Sequence, residues 1–201
     1  MQSLTYQRTV VGYHGCDRLV VENVLLRRER LKPSHNDYDW LGDGVYFWEY
    51  GCDRALDWAT GIAKRRPEIV TTPAVVGAHI HLGVCFDLLD VRFTDMLTKL
   101  YPAFEETLRT QGVPLPKNEP AYGNDHDLVR RKLDCAMLNW AIPMIESDLK
   151  VHFQTVRGVF QEGVPVYPGS GILKKSHIQV VVRDSNCILG YFLPGDLTDG
   201  S

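Results

Sequence analysis

The chain has 201 residues, of which 44% are hydrophobic and 23% charged, and a formal net charge of −3 at pH 7. That length buries a sizeable core and suits a single domain over 1–201, while the slight negative balance excludes the blanket basic surface of a non-specific duplex binder. No apolar run approaches the ~20 residues that span a bilayer, and five scattered cysteines without a CxxC pair argue against a disulfide framework, which points to a reducing cytoplasmic setting and no membrane partner.

In chain order, residues 9–13 are short and β-branched and predict a strand. Asp17 caps a predicted helix over 18–30 with Val20, Val24 and Leu25 inward. Residues 32–39 form a polar loop, and 44–49 a second strand rich in aromatics. A helix from Asp53 places Ala55, Trp58, Ala59 and Ile62 inward and stops before Pro67. A strongly apolar strand over 74–82 leads to a turn at 87–90 and a helix over 94–111. The Pro- and Gly-rich stretch 113–124 reads as an exposed connection. Residues 125–150 have the period of one helix or two, with Pro143 as break or kink. Strands over 155–160, 178–183 and 187–193 close the chain.

Strands at both ends around a helical middle predict an α+β fold of split, mostly antiparallel sheets framing a cleft. A doubly wound dinucleotide fold is excluded by the missing βαβ alternation and by the absence of GxGxxG. His79 and His81 share one strand face, but no acidic or cysteine cluster is spaced to complete a zinc site, so no metal is expected.

The chemistry sits elsewhere. A strand ending in Tyr13-His14-Gly15, followed by Gly44-Val45-Tyr46-Phe47-Trp48-Glu49, can build a slot for a flat polar ring. Glycine allows close backbone approach, and the aromatics supply stacking faces. Taken singly, each residue has a plainer reading as strand or core.

Together with the late strand Ser176-His177-Ile178-Gln179-Val180-Val181-Val182-Arg183-Asp184, these segments resemble, in order, three motifs of the ADP-ribosyltransferase superfamily. The likeness is to its poly(ADP-ribose) polymerase and diphtheria-toxin branch, as a small bacterial single-domain member. The resemblance implies that the cleft takes NAD+ as substrate. His14 would bond the adenosine-side ribose, the Gly15 backbone would hold the nicotinamide amide, and Tyr46 would stack on the nicotinamide, with Tyr13 and Gly44 lining the pocket. Gln179 would stand where the family has its catalytic Glu, beside the ribose that becomes cationic as nicotinamide leaves.

Gln179 is the chief departure, since an amide accepts a hydrogen bond but neither opposes positive charge nor acts as a general base. Glu162, before the 164–175 loop, is one carboxylate that would compensate, and Glu49 is a second. Arg54 and Arg157 are candidate donors to the pyrophosphate. Tyr38 and Trp40 would cover the pocket as an aromatic lid. Lys174, Lys175 and His177 lie where the family meets its acceptor, which would be RNA, DNA or protein. The implied activity is mono-ADP-ribosyl transfer, in a toxin of a toxin–antitoxin or phage-defence system with an antitoxin protein as partner. An NAD+ glycohydrolase and a non-catalytic NAD+ or ADP-ribose binding module are the competing readings.

Overall fold

A computed structural model describes residues 4–120 and 127–195. Among these, eight strands and four α-helices give a mixed α+β architecture. In order they are β1 (Thr5–Asp17), α1 (Arg18–Leu26), β2 (Val45–Glu49), α2 (Cys52–Arg65), β3 (Pro73–Asp87) and α3 (Val91–Thr110). There follow β4 (Asn118–Glu119), β5 (Arg130–Arg131), α4 (Lys132–Leu149), β6 (Thr155–Phe160), β7 (His177–Val182) and β8 (Ile188–Phe192). Positions 121–124 of the expected connection, and Asp125 at the expected start of the next helical block, lie outside the described residues.

The main sheet runs β1-β2-β7-β6-β3-β8, and a β1–β3 pairing closes its first five strands into a ring. The expected pair of split sheets is therefore replaced by a five-stranded barrel with β8 on its flank. The cause lies in β3, which runs past the expected end at Leu82. Gly83 takes φ +58°, and beyond it Cys85, Phe86 and Asp87 pair in parallel with Thr155, Val156 and Arg157. Gln154 secures the bend: its Oε1 accepts from the Val84 N–H at 3.1 Å and its own N–H donates to the Val84 carbonyl at 2.8 Å. Thr155 donates its hydroxyl to the Leu82 carbonyl at 2.6 Å. All other neighbours in the main sheet are antiparallel.

Alternation along the strands sorts side chains into two faces. Val10, Val45, Phe47, Val76, Ala78, Ile80, Leu82, Val180 and Val182 form the inner cluster, with Val21 and Val24 of α1 packed against it. On the outer face, Tyr46, Val156, Phe160 and Val181 meet α3 and α4 through Phe93, Phe104, Leu138 and Ile142. Trp48 and Val75 meet α2 through Ala55.

Asp17 caps α1 as expected, its carboxylate accepting from the Leu19 N–H at 2.8 Å. The helix phases differ from expectation in two places. In α1, Val21 rather than Val20 is buried beside Val24; in α2, Ala55 and Ala59 face inward while Trp58 is 44% exposed. Helix α4 continues through Pro143 without a break, because Ala141, Ile142 and Ile145 bury on both sides of it. Their packing outweighs the backbone bond that proline removes. No described helix is long and apolar enough to cross a membrane.

The five thiols are free, and burial pushes Cys16 and Cys85 up to about 12 and Cys135 and Cys187 up to about 11. Cys52 alone is half-buried. Because the thiolate is the reactive form, an aromatic disulfide reagent at pH 8 is expected to modify Cys52 in the native protein and the other four only on unfolding. Cys52→Ser should remove the fast phase; two or more fast thiols in the native state would contradict this core.

Candidate functional site

Strand register places three of the candidate site residues in one patch, with Trp48 beside them. Tyr46 pairs with Val181 and Trp48 with Gln179, so Tyr46, Trp48, Gln179 and, two residues before it, His177 share the outer face. On the other side of β7, Gly158 lies opposite Gln179 and Phe160 opposite His177. This row runs along the seam between α2 and the α3–α4 layer.

Gly158 makes room for what covers Gln179, since a Cβ there would lie 2.7 Å from Cη2 of Trp40. The Trp40 indole N–H donates to Gln179 Oε1 at 2.6 Å, and Trp40 is 7% exposed. Trp40 is thus an anchored cover over the amide rather than an open lid. The amide oxygen keeps one further lone pair.

Tyr46 is fixed at both ends. Its hydroxyl donates to the Gly42 carbonyl and accepts from the Leu41 N–H, each at 2.9 Å. Burial, with a smaller contribution from the Asp39 charge, pushes the phenol far above its usual range, so it stays protonated. Gly44 has φ +149°, and a side chain there would meet Val181 Cγ1 at 2.5 Å. Its glycine serves the return of the 27–44 loop into β2.

His14 stands where β1 and β2 part, one residue past the last paired position, Tyr13 with Trp48. Its Nδ1–H donates to the Tyr46 carbonyl at 2.8 Å, across the gap left by the ended ladder. Alternation puts its ring on the inner face, 5.8 Å from the Phe47 ring, so His14 reaches the seam from the side opposite Gln179. Burial lowers its pKa, against the opposing effect of the Tyr46 bond, so the imidazole is neutral at pH 7. The expected backbone approach at Gly15 is taken by α2: a Cβ there would lie 2.0 Å from the Ala55 carbonyl oxygen. Tyr13 faces outward with its ring edge-on to Phe192.

Two further expected roles require correction. Arg157 points to the inner face, where Nε donates to Glu49 at 2.6 Å and Nη1 to Asp87 at 3.1 Å. Burial pulls its pKa down, but the bonds and charges of Glu49 and Asp87 outweigh this and raise it. It is a structural ion pair, not a pyrophosphate donor, and Glu49, also held by Arg8 at 3.1 Å, is equally unavailable to chemistry.

Arg54, Glu162 and Lys175 border the seam beside His177. Glu162 accepts from Arg54 Nη2 at 2.8 Å and lies 3.8 Å from Lys175 Nζ, so its charge is already partnered. Lys174 is exposed on the 164–175 hairpin, and Tyr38 is exposed in the 27–44 loop. His177 stacks on Phe160 with ring centroids 5.4 Å apart, and its Nδ1–H donates to the Lys175 carbonyl at 2.7 Å.

Three contributors were not foreseen. Arg131 lies 4.0 Å from the Phe160 ring centroid and 5.2 Å from that of Trp40, while Phe160 and Trp48 flank His177. Strand alternation would have found Trp48 and Phe160; nothing in the sequence marks Arg131. Among the described residues no group of three or more His, Cys, Asp or Glu side chains could hold a metal ion. What the seam offers is aromatic surface, a polar amide and cationic edges.

Comparison with known proteins gives one relative. The uncharacterized protein MJ0359 of Methanocaldococcus jannaschii is 30% identical over 109 residues, 52% of this chain and 48% of that protein. The chain thus spans about half the length of the curated relative it matches. No family model and no solved structure matches it.

Proposed function

We propose that the chain is an NAD+-dependent mono-ADP-ribosyltransferase, which cleaves the nicotinamide–ribose bond and passes ADP-ribose to a macromolecular acceptor. The observation that carries this reading is the row Tyr46–Trp48–Gln179–His177 on one sheet face, with His14 bonded across the strand gap to the Tyr46 carbonyl. Segments remote in sequence meet here, with the His14 ring on the sheet face opposite to Tyr46, Trp48, Gln179 and His177.

In this reading the Tyr46 ring is the stacking surface for nicotinamide, and its doubly bonded hydroxyl keeps that surface in one orientation. Gln179 accepts from a ribose hydroxyl through the lone pair that Trp40 leaves free. Arg54, already bonded to Glu162, is the remaining candidate for the pyrophosphate, with Lys174 and Lys175 on the acceptor side. Preorganised dipoles beside the reacting sugar lower the barrier because they need not reorient as charge develops. The finer feature of a cleft framed by separate sheets is replaced here by a seam on a closed barrel.

The experiment is incubation with NAD+ labelled in the adenosine moiety, with cell lysate as source of acceptors. Label retained on protein or nucleic acid, released by protease or nuclease respectively, is the expected outcome. Free ADP-ribose alone identifies a glycohydrolase, and binding without turnover identifies a binding module.

A further inference from the structure

Three side-chain nitrogens at the seam are buried without a hydrogen-bond partner: Trp48 Nε1, Arg54 Nε and His177 Nε2. They belong to one neighbourhood. The Trp48 and His177 rings are 6.2 Å apart, and the Arg54 charge acts on the His177 imidazole. Leaving a buried polar group unsatisfied costs on the order of 1–3 kcal/mol, so a group that paired with all three would be favoured here.

Their chemistry is complementary. Because the Lys175 carbonyl can only accept, His177 Nδ1 carries the proton, and Nε2 of the neutral ring is a free lone pair. Trp48 and Arg54 contribute N–H donors. A group that accepts from one and donates to the other satisfies the set: a hydroxyl, or an amide N–H with its carbonyl. An acceptor-only group such as a carboxylate or a dianionic phosphate does not.

Resting on the NAD+ reading above, we propose that His177 is the general base of the transfer step and that the acceptor attacks through a hydroxyl or amide N–H. His177 lies two residues from Gln179 on the same strand face, about 7 Å along β7, on the acceptor side of the ribose. As the acceptor oxygen or nitrogen bonds to the ribose anomeric carbon, its proton passes to His177 Nε2. The bond from that carbon to nicotinamide breaks, its electron pair neutralises the pyridinium, and nicotinamide leaves uncharged. The imidazolium then returns the proton to water. The base that Gln179 cannot supply is thereby provided one strand pleat away, while Glu162 stays locked to Arg54 and Lys175.

Burial lowers the His177 pKa, against the Lys175 bond, and the Arg54 and Arg131 charges lower it further, so the free base predominates at pH 7. The test measures nicotinamide release from NAD+ across pH 5–8, with water and methanol as the hydroxyl probes. Wild type should lose rate as pH falls through a value below the ordinary histidine figure of about 6.5, with O-methyl-ADP-ribose formed in methanol. His177→Gln should be slower by about 10²-fold and lack that acid limb. The other ionisable groups facing His177 are Arg54 of α2, Arg131 of β5, and Glu162 and Lys175 of the 161–175 segment. Glu162 is the one carboxylate of this set, and Glu162→Gln should keep the limb. Release by wild type with an acid limb that survives in His177→Gln, or a rate within threefold of wild type, overturns the base assignment alone. No release by wild type at any pH overturns the NAD+ reading, and the base assignment with it.

Discussion

Arg157→Met should destabilise the protein by about 3–5 kcal/mol, the cost of leaving buried charges without their partner. Arg157 is 5% exposed, and its guanidinium bridges Glu49 of β2 and Asp87 of β3 at 2.6 and 3.1 Å. These three side chains join β6, β2 and β3 inside the ring. Methionine matches the length but leaves two carboxylates facing one another, with only Arg8 still on Glu49. A urea titration should show a lower midpoint at unchanged slope. The triple variant with Glu49→Gln and Asp87→Asn should recover at least half of the loss. A midpoint unmoved by Arg157→Met would mean that the triad is not what ties these strands.

Tyr46→Ala should lower nicotinamide release from NAD+ by about 10²-fold or more, the scale on which loss of substrate positioning acts. The variant removes the ring proposed to stack on nicotinamide and also frees Leu41 and Gly42, whose backbone groups the phenol holds at 2.9 Å each. It also costs about 3 kcal/mol of stability through the cavity left in the outer cluster, so a second variant separates the effects. Tyr46→Phe keeps the ring and loses two hydrogen bonds worth about 1 kcal/mol each; its turnover should stay within about tenfold of wild type. Steady-state release at saturating NAD+, with folding checked by near-ultraviolet dichroism, reads both. Full turnover by Tyr46→Ala would remove Tyr46 from the site.

The six strands of the main sheet were legible in the sequence because their β-branched and aromatic residues are written locally; β6 has the bounds its composition predicts, whereas β4 and β5 fall in stretches read as connection and helix. Closure of the ring was not. It depends on a left-handed glycine at 83 and on Gln154 folding back to Val84, and no period of hydrophobicity records either. Arg157 shows the same limit. A lone cation in an apolar strand signals a partner, but whether that partner is a ligand or a carboxylate depends on inter-strand register, which a single sequence does not carry. Register likewise decided that Tyr46, Gln179 and His177 share a face while His14 meets them from the other side. Trp40 was named from the sequence as a lid; the space above Gly158 and the bond to Gln179 that hold it in place are set by register and are not written locally.

The most direct measurement is the nuclear magnetic resonance of the tryptophan indole N–H groups during titration with NAD+. Trp40 and Trp48 border Gln179 and His177, whereas Trp140 packs against Phe104 in the helical layer. Saturable shifts of the Trp40 and Trp48 signals, with Trp140 unmoved, are the expected result. Absence of any shift, or a shift confined to the Trp140 signal, would contradict a nicotinamide pocket at this seam.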